Sequence, residues 1–244
     1  MSKSQVLEQY YARFTRLFRA VEEDDLKSIR PHAGHGFWDH DVLVALYAAN
    51  LCRSRVLDAS ESLAFVAGLI HSADRKVEPE LVQATLERYL DLTNFNETQR
   101  ATVLEAVARH MEFRDKNVET RSWVQKALMD GDKLANMEAA VVIRSGQFHP
   151  HIAAVEPQWL GRANPPGVRY NNPTSTYPKP QSVLDDLRGC LEWAEDGWMH
   201  FDEAKDRATD LADRLQEFIK DCEEPYVKTG IADFLAMRRE PASV

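Results

Sequence analysis

Glycine is scarce, with ten residues in 244. Few positions can therefore take positive φ cheaply, which disfavours folds made of many tight turns. No convincing period-2 alternation or hairpin signal offsets that shortage. No apolar run approaches the ~18 residues that span a membrane. Only three cysteines occur, Cys52, Cys190 and Cys222. They are far apart, odd in number and form no CxxC pair, so free thiols in a reducing compartment are expected rather than a disulfide framework. An excess of positive charge is also missing: 30 Lys+Arg face 39 Asp+Glu, a net charge of −9. Such a chain is poorly suited to non-specific binding of nucleic acid or of an anionic membrane surface, and any phosphate-binding patch must be local. The N-terminal MSKSQVLEQYY carries no signal-peptide core, so the reading is cytoplasmic.

What is present reads as helix. Val6, Tyr10, Phe14, Leu17, Phe18 and Val21 form one apolar stripe at helical spacing. Pro31, Gly34 and Gly36 then break the pattern. Val42 to Leu51 is apolar almost all round, as a central buried helix should be. Asp58 with Glu61 has the spacing of a capping box before LAFVAGLI, which runs straight into His71. Pro79 suits the first turn of a fourth helix. Asn94 with Glu97 is the expected cap of a fifth, carrying Leu104, Val107 and Met111. A sixth is expected from about Ser122 to Ile143. Seven of the eleven prolines lie between Pro150 and Pro180. That stretch cannot be regular helix. It has Trp159, Tyr170 and Tyr177 to bury, so an ordered loop against the core is expected rather than a linker. Ser182 with Asp185 opens a further helix, and a last long one runs from about Phe201 to Cys222. The fold class is all-α, read as a single domain over residues 1–244, with the Pro-rich loop at about 150–181 and C-terminal helices at about 182–237.

The histidines cluster. His32, His35 and His40 crowd the start of the second helix, His71 ends an apolar helix and His110 sits in AVARHMEFRD. Asp130 and Asp132 lie in LMDGDKLANM. Taken singly, a histidine at a helix end is more often a cap or a satisfied core group. Together they point elsewhere. An imidazole at the edge of the core needs partners, and Asp132, sharing a face with apolar neighbours, needs a cation or a metal. Imidazoles and carboxylates converging from separate helices are a common way to build a metal site in a bundle.

These residues resemble the HD superfamily of metal-dependent phosphohydrolases. That family has a His near a helix start, a His-Asp pair ending an apolar helix and a distant Asp. GHGFWDHDVLV is similar to the first element, with His40 at the ligand position and His35 upstream. GLIHSADRK is similar to the second, with His71 as its His. MDGDKLANM is similar to the third, with Asp132 as its Asp and Lys133 beside it. The segment NPTSTYPKPQSVLDDLRGCLEWAEDGWMHFDEAKDRATDLADRLQEFI is similar to the C-terminal region of bacterial HD nucleotide pyrophosphatases. The likeness covers about residues 5 to 222.

The resemblance implies a compact HD-type helical bundle. It also implies a divalent ion on His40, His71 and Asp132 that polarises a phosphoryl oxygen and acidifies water. Mn, Fe, Ni, Zn and Mg all suit such ligands. It implies hydrolysis of a phosphoester or phosphoanhydride in a small phosphorylated substrate, a nucleotide in the first instance. Lys133 then contacts phosphate, His35 contacts phosphate or donates a proton, and His110 is a further pocket group. Arg75 and Lys76 either add positive charge near the pocket mouth or, the expected case, are solvated. One departure stands out: Ser72 occupies the place of the Asp in the His-Asp pair. Three outcomes follow. Asp74, three residues after His71, supplies the missing carboxylate; three ligands suffice; or the site is degenerate, leaving a nucleotide-binding or regulatory protein without turnover. No oligomeric state is legible.

Overall fold

The computed structural model describes residues 3–28, 36–112, 121–157, 160, 168–169, 178–179, 182–195 and 198–237. Helix α1 (Lys3–Leu26) kinks at Phe14 and buries the whole expected stripe, from Val6 to Val21. A single π-turn, Phe37–Asp41, leads into α2 (Val42–Ser54). There follow α3 (Asp58–Ile70), α4 (Ala73–Lys76), a 3-10 turn at Pro79–Leu81, α5 (Val82–Asp91) and α6 (Glu97–Arg109). Next come α7 (Trp123–Ala135) and α8 (Val141–Phe148). A two-residue antiparallel pair, β1 (Val168–Arg169) with β2 (Pro178–Lys179), precedes α9 (Val183–Leu191). The long α10 (Asp202–Lys228) and α11 (Ile231–Met237) complete the described chain, joined through Gly230 at φ +73°. The architecture is all-α, as expected. No helix among the described residues is long and apolar enough to cross a membrane.

Helix α2 is the central element, packed most extensively against α3 and α7. Two glycines permit this. A Cβ on Gly68 of α3 would stand 2.5 Å from Cα and 2.7 Å from N of Ala45. A Cβ on Gly131 of α7 would stand 3.0 Å from the Val44 carbonyl oxygen and from N of Ala48. Both crossings are thus backbone against backbone; Gly68 lies three residues before His71 and Gly131 directly before Asp132. Around them one apolar cluster runs from Val6 of α1 to Ile219 of α10. Cys52 and Cys190 are buried in it as free thiols, and Cys222 is half-buried.

Several boundaries differ from expectation, and at Glu61, Asn96 and Asn136 a polar side chain has found another partner. Helix α3 begins at Asp58 itself, with Leu57 at the cap position, and Glu61 pairs with Arg53 at 2.5 Å. The cap of α6 is Asn96, not Asn94. Its Oδ1 accepts from N–H of Gln99, and Gln99 Oε1 accepts from N–H of Asn96, both at 3.0 Å. That helix stops at Arg109 and leaves Met111 exposed. The expected helix from Ser122 to Ile143 is two helices. The Asn136 amide donates to the Asp132 carbonyl at 3.0 Å, and the chain turns there. By contrast α10 outlasts its expected end at Cys222 and carries Pro225 within it. Ser182 caps α9 as expected, accepting from Asp185 N–H at 3.1 Å. Beside it N–H of Val183 and Leu184 donate to the carbonyls of Ala153 and Ala154. Trp159, Tyr170 and Tyr177, with most of the Pro-rich segment, lie outside the described residues.

Candidate metal centre

His40 sits in the π-turn before α2, His71 caps the C-terminus of α3, and Asp132 lies in the last turns of α7. All three are buried. Nε2 of His40 lies 3.2 Å from Nε2 of His71 and 3.2 Å from Oδ1 of Asp132. His71 Nε2 and Asp132 Oδ1 are 3.9 Å apart. A triangle with those sides has a circumscribed radius of about 2.0 Å, the ~2.0–2.2 Å at which imidazole and carboxylate hold a transition ion. Among the described residues this is the one group of three or more His, Cys, Asp or Glu side chains gathered closely enough for an ion.

The charges of the three groups suit that use. Burial drives His40 down to about 3, so it is neutral near pH 7. Burial also lowers His71, whose Nδ1–H donates to the Gly68 carbonyl at 2.7 Å and leaves Nε2 with its lone pair. Burial alone would raise Asp132, but the His40 hydrogen bond and the fields of His71, His40 and His110 hold it well below the ordinary carboxylate range. The set therefore offers two neutral imidazoles and one carboxylate.

The other expected site residues fall in different places. His110 stands edge-on to His71, ring centroids 5.4 Å apart, with Nδ1 2.6 Å from the Val107 carbonyl. Burial lowers its pKa. Lys133 is 1 % exposed and donates to the Trp198 carbonyl at 2.9 Å. Asp74 is exposed in the first turn of α4 and is not brought into the His-His-Asp set. The helix breaks at Ser72 (φ −91°, ψ 21°), so the i, i+3 relation between His71 and Asp74 is lost. His32 and His35 lie outside the described residues.

Position 72 is occupied rather than open. Ser72 Oγ donates to Asp41 Oδ1 at 2.7 Å and accepts from Lys76 Nζ at 3.1 Å. Lys76, expected in solvent, is buried, and its ammonium reaches Asp41 Oδ2 at 2.5 Å and Asp25 Oδ1 at 3.0 Å. Burial works to lower Lys76, but the attraction of Asp41 and Asp25 outweighs it and raises its pKa. On Asp41 burial wins over the same attraction and pushes the carboxyl up to about 7.

Sequence reasoning missed Asp41, Lys76, Asn136 and Arg144. Asp41 had a signal: a carboxylate directly after His40 at the mouth of an apolar helix. Arg144 had none, because α7 and α8 read as one helix. It is 5 % exposed, and its Nη1 lies 2.7 Å from His40 Nδ1.

Three buried ligand-type side chains meeting from separate helices of an all-helical bundle define a candidate metal centre. The fold has solved counterparts. A Lactobacillus plantarum protein matches with a TM-score of 0.64 at 18% identity, over 91% of this chain and 98% of its own. An HD-superfamily hydrolase from Bacillus thuringiensis matches with a TM-score of 0.62 at 16% identity, over 89% and 98% respectively. The fold is thus the all-helical fold seen in these two solved structures, and in this chain the His-His-Asp cluster lies within it. No protein-family description and no curated protein matches the sequence.

Proposed function

We propose that this protein is a divalent-metal-dependent hydrolase of a phosphoester or phosphoanhydride bond in a small phosphorylated metabolite, a nucleotide in the first instance. The observation that carries the reading is the triangle of His40 Nε2, His71 Nε2 and Asp132 Oδ1, sized for an ion. An ion held there supplies Lewis-acid polarisation of a phosphoryl oxygen and makes water acidic enough to attack near neutral pH. Its identity among Mn, Fe, Ni, Zn and Mg is left open by the donor set. The protein's own groups do the rest. Asp132, ionised and buried, draws cationic charge to the centre. His71 is oriented by Gly68. His110, with Nδ1–H committed to Val107, has Nε2 to take or return a proton beside the reacting phosphoryl group. Lys133, whose buried ammonium donates to the Trp198 carbonyl, is the phosphate contact of this reading. In this reading residues 1–244 act as one cytoplasmic unit.

A second reading has one observation in its favour. The Ser72 hydroxyl is spent on Asp41 and Lys76, so the fourth protein ligand of the family pattern is missing. A nucleotide-binding or regulatory protein without turnover fits that loss. Metal content of the purified protein, followed by phosphate and pyrophosphate release from a nucleotide panel, separates the two. Bound metal with release abolished by His71→Ala and Asp132→Ala supports the hydrolase. Nucleotide binding without release supports the alternative.

A further inference from the structure

The neighbours of a neutral histidine choose its tautomer. A ring nitrogen ligates a metal only with a free lone pair, so the proton must sit on the other nitrogen, which usually donates to a carbonyl or carboxylate. His71 is arranged in that way, since the Gly68 carbonyl can only accept from Nδ1. His40 is arranged in the opposite way. Its Nδ1 faces Nη1 of Arg144 at 2.7 Å, and a guanidinium only donates. Nδ1 therefore accepts, and the proton sits on Nε2, the atom that looks at His71 Nε2 and Asp132 Oδ1. That N–H has two acceptors at 3.2 Å, so the network closes on itself without an ion.

Arg144 is placed to act on more than one ligand. Its Nη2 donates to Asn136 Oδ1 at 2.7 Å and to the Ala135 carbonyl at 3.2 Å. Asn136 in turn donates to Asp132 Oδ1 at 2.9 Å. The guanidinium thus touches His40 directly and Asp132 through one amide. Its Nε is buried without a hydrogen-bond partner among the described residues.

We propose that Arg144 is a positioning residue that restrains ion uptake by holding His40 in the tautomer whose ligand nitrogen carries a proton. The proposal rests on the metal-site reading above. Ion entry then requires the guanidinium to withdraw from Nδ1 while the imidazole proton moves from Nε2 to Nδ1. No net proton is released in that exchange. Removing the guanidinium removes the restraint, and a replacement that can accept from Nδ1–H also supports the ligating tautomer.

The test uses the metal-stripped full-length protein and Mn²⁺ or Zn²⁺ alone, titrated calorimetrically into wild type, Arg144→Gln and Arg144→Met. Both variants should bind roughly ten- to hundredfold tighter than wild type, the ratio expected when a hydrogen bond to a charged group no longer opposes binding. His40→Gln in the Arg144→Gln background should abolish the gain. Imidazole ¹⁵N spectra of the metal-free wild type, with His40 assigned by its loss in His40→Gln, should show the proton on Nε2, and this measurement needs no Arg144 variant to fold. Equal affinity in wild type and variants, or an Nδ1–H His40 in the metal-free protein, overturns the role of Arg144 and leaves the metal site standing. No ion bound by any of them overturns both.

Discussion

Lys76 offers the sharpest test of how the buried charges near the site are balanced. Its ammonium is the cation for Asp41, which is fully buried, and it also reaches Asp25 and Ser72. Lys76→Met keeps an unbranched chain of similar length and deletes only the charge. Removing one member of a buried pair costs about 3–5 kcal/mol because the survivor is stranded. Here the stranded group can take up a proton, so the cost depends on pH. Asp41 is raised from 3.8 to about 7 in the folded protein. The contribution of its protonated form is complete below pH 4 and is lost as pH rises to about 7. Above that value wild type keeps the carboxylate through Lys76, whereas the variant must hold a proton or bury a bare charge. Its deficit should grow by up to about 1.4 kcal/mol per pH unit. Urea unfolding should show a loss that is larger at pH 8 than at pH 5.5 by about 1.4 kcal/mol, the one pH unit above the Asp41 midpoint. An equal loss at both values would refute the assignment of Asp41 as the titrating partner.

Ser72→Asp places a second carboxylate beside Asp41 with Lys76 shared between them, so the metal-free protein should lose about 1–3 kcal/mol while Mn²⁺ affinity rises tenfold or more. Asp74→Ala should leave that affinity unchanged, and a clear weakening would restore Asp74 as a ligand. Asp130→Ala removes the acceptor of N–H from His200 (2.7 Å) and Phe201 (2.9 Å) and of the His200 ring (2.7 Å). Chemical denaturation should show a loss of about 3 kcal/mol, with faster amide exchange in the first turn of α10; unchanged exchange there would remove Asp130 from its tethering role. In metal-free protein the depressed pKa of His40 contributes stability that is full above pH 6.5 and falls as pH drops towards 3. His40→Gln should flatten that acid slope, and parallel profiles would mean that His40 is not the group responsible.

The helices were legible because their apolar residues repeat at helical spacing, and so were the edges of the core at His71 and Asp132, which end or interrupt apolar runs. His40 was placed by the motif around it rather than by periodicity. Boundaries failed at Asn96 and Asn136, where a side-chain amide competes for a backbone group two to four residues away and composition does not show which Asn wins. Lys76 and Arg144 were illegible for a different reason. Their burial depends on carboxylates, imidazoles and carbonyls that are distant in sequence, and a long cationic side chain reads as solvated until its tertiary partners are known. Asp74 shows the reverse error: the i, i+3 argument was sound for a continuous helix, but the chain leaves helical geometry at Ser72.

The two glycine crossings have a consequence for how such a protein can change. Because Gly68 and Gly131 bring α3 and α7 against the backbone of α2, the separation of the three ligand-bearing elements is gauged by main-chain atoms rather than by the sizes of interior side chains. Apolar substitutions elsewhere in the cluster can then trade volume, raising or lowering folding stability, while the spacing of His40, His71 and Asp132 holds. Robustness of the scaffold and calibre of the site become separate variables. Drift in sequence within the apolar cluster is then compatible with an intact ligand triangle, and exchanges that retune the site would fall at the triangle's rim rather than in the bundle's interior.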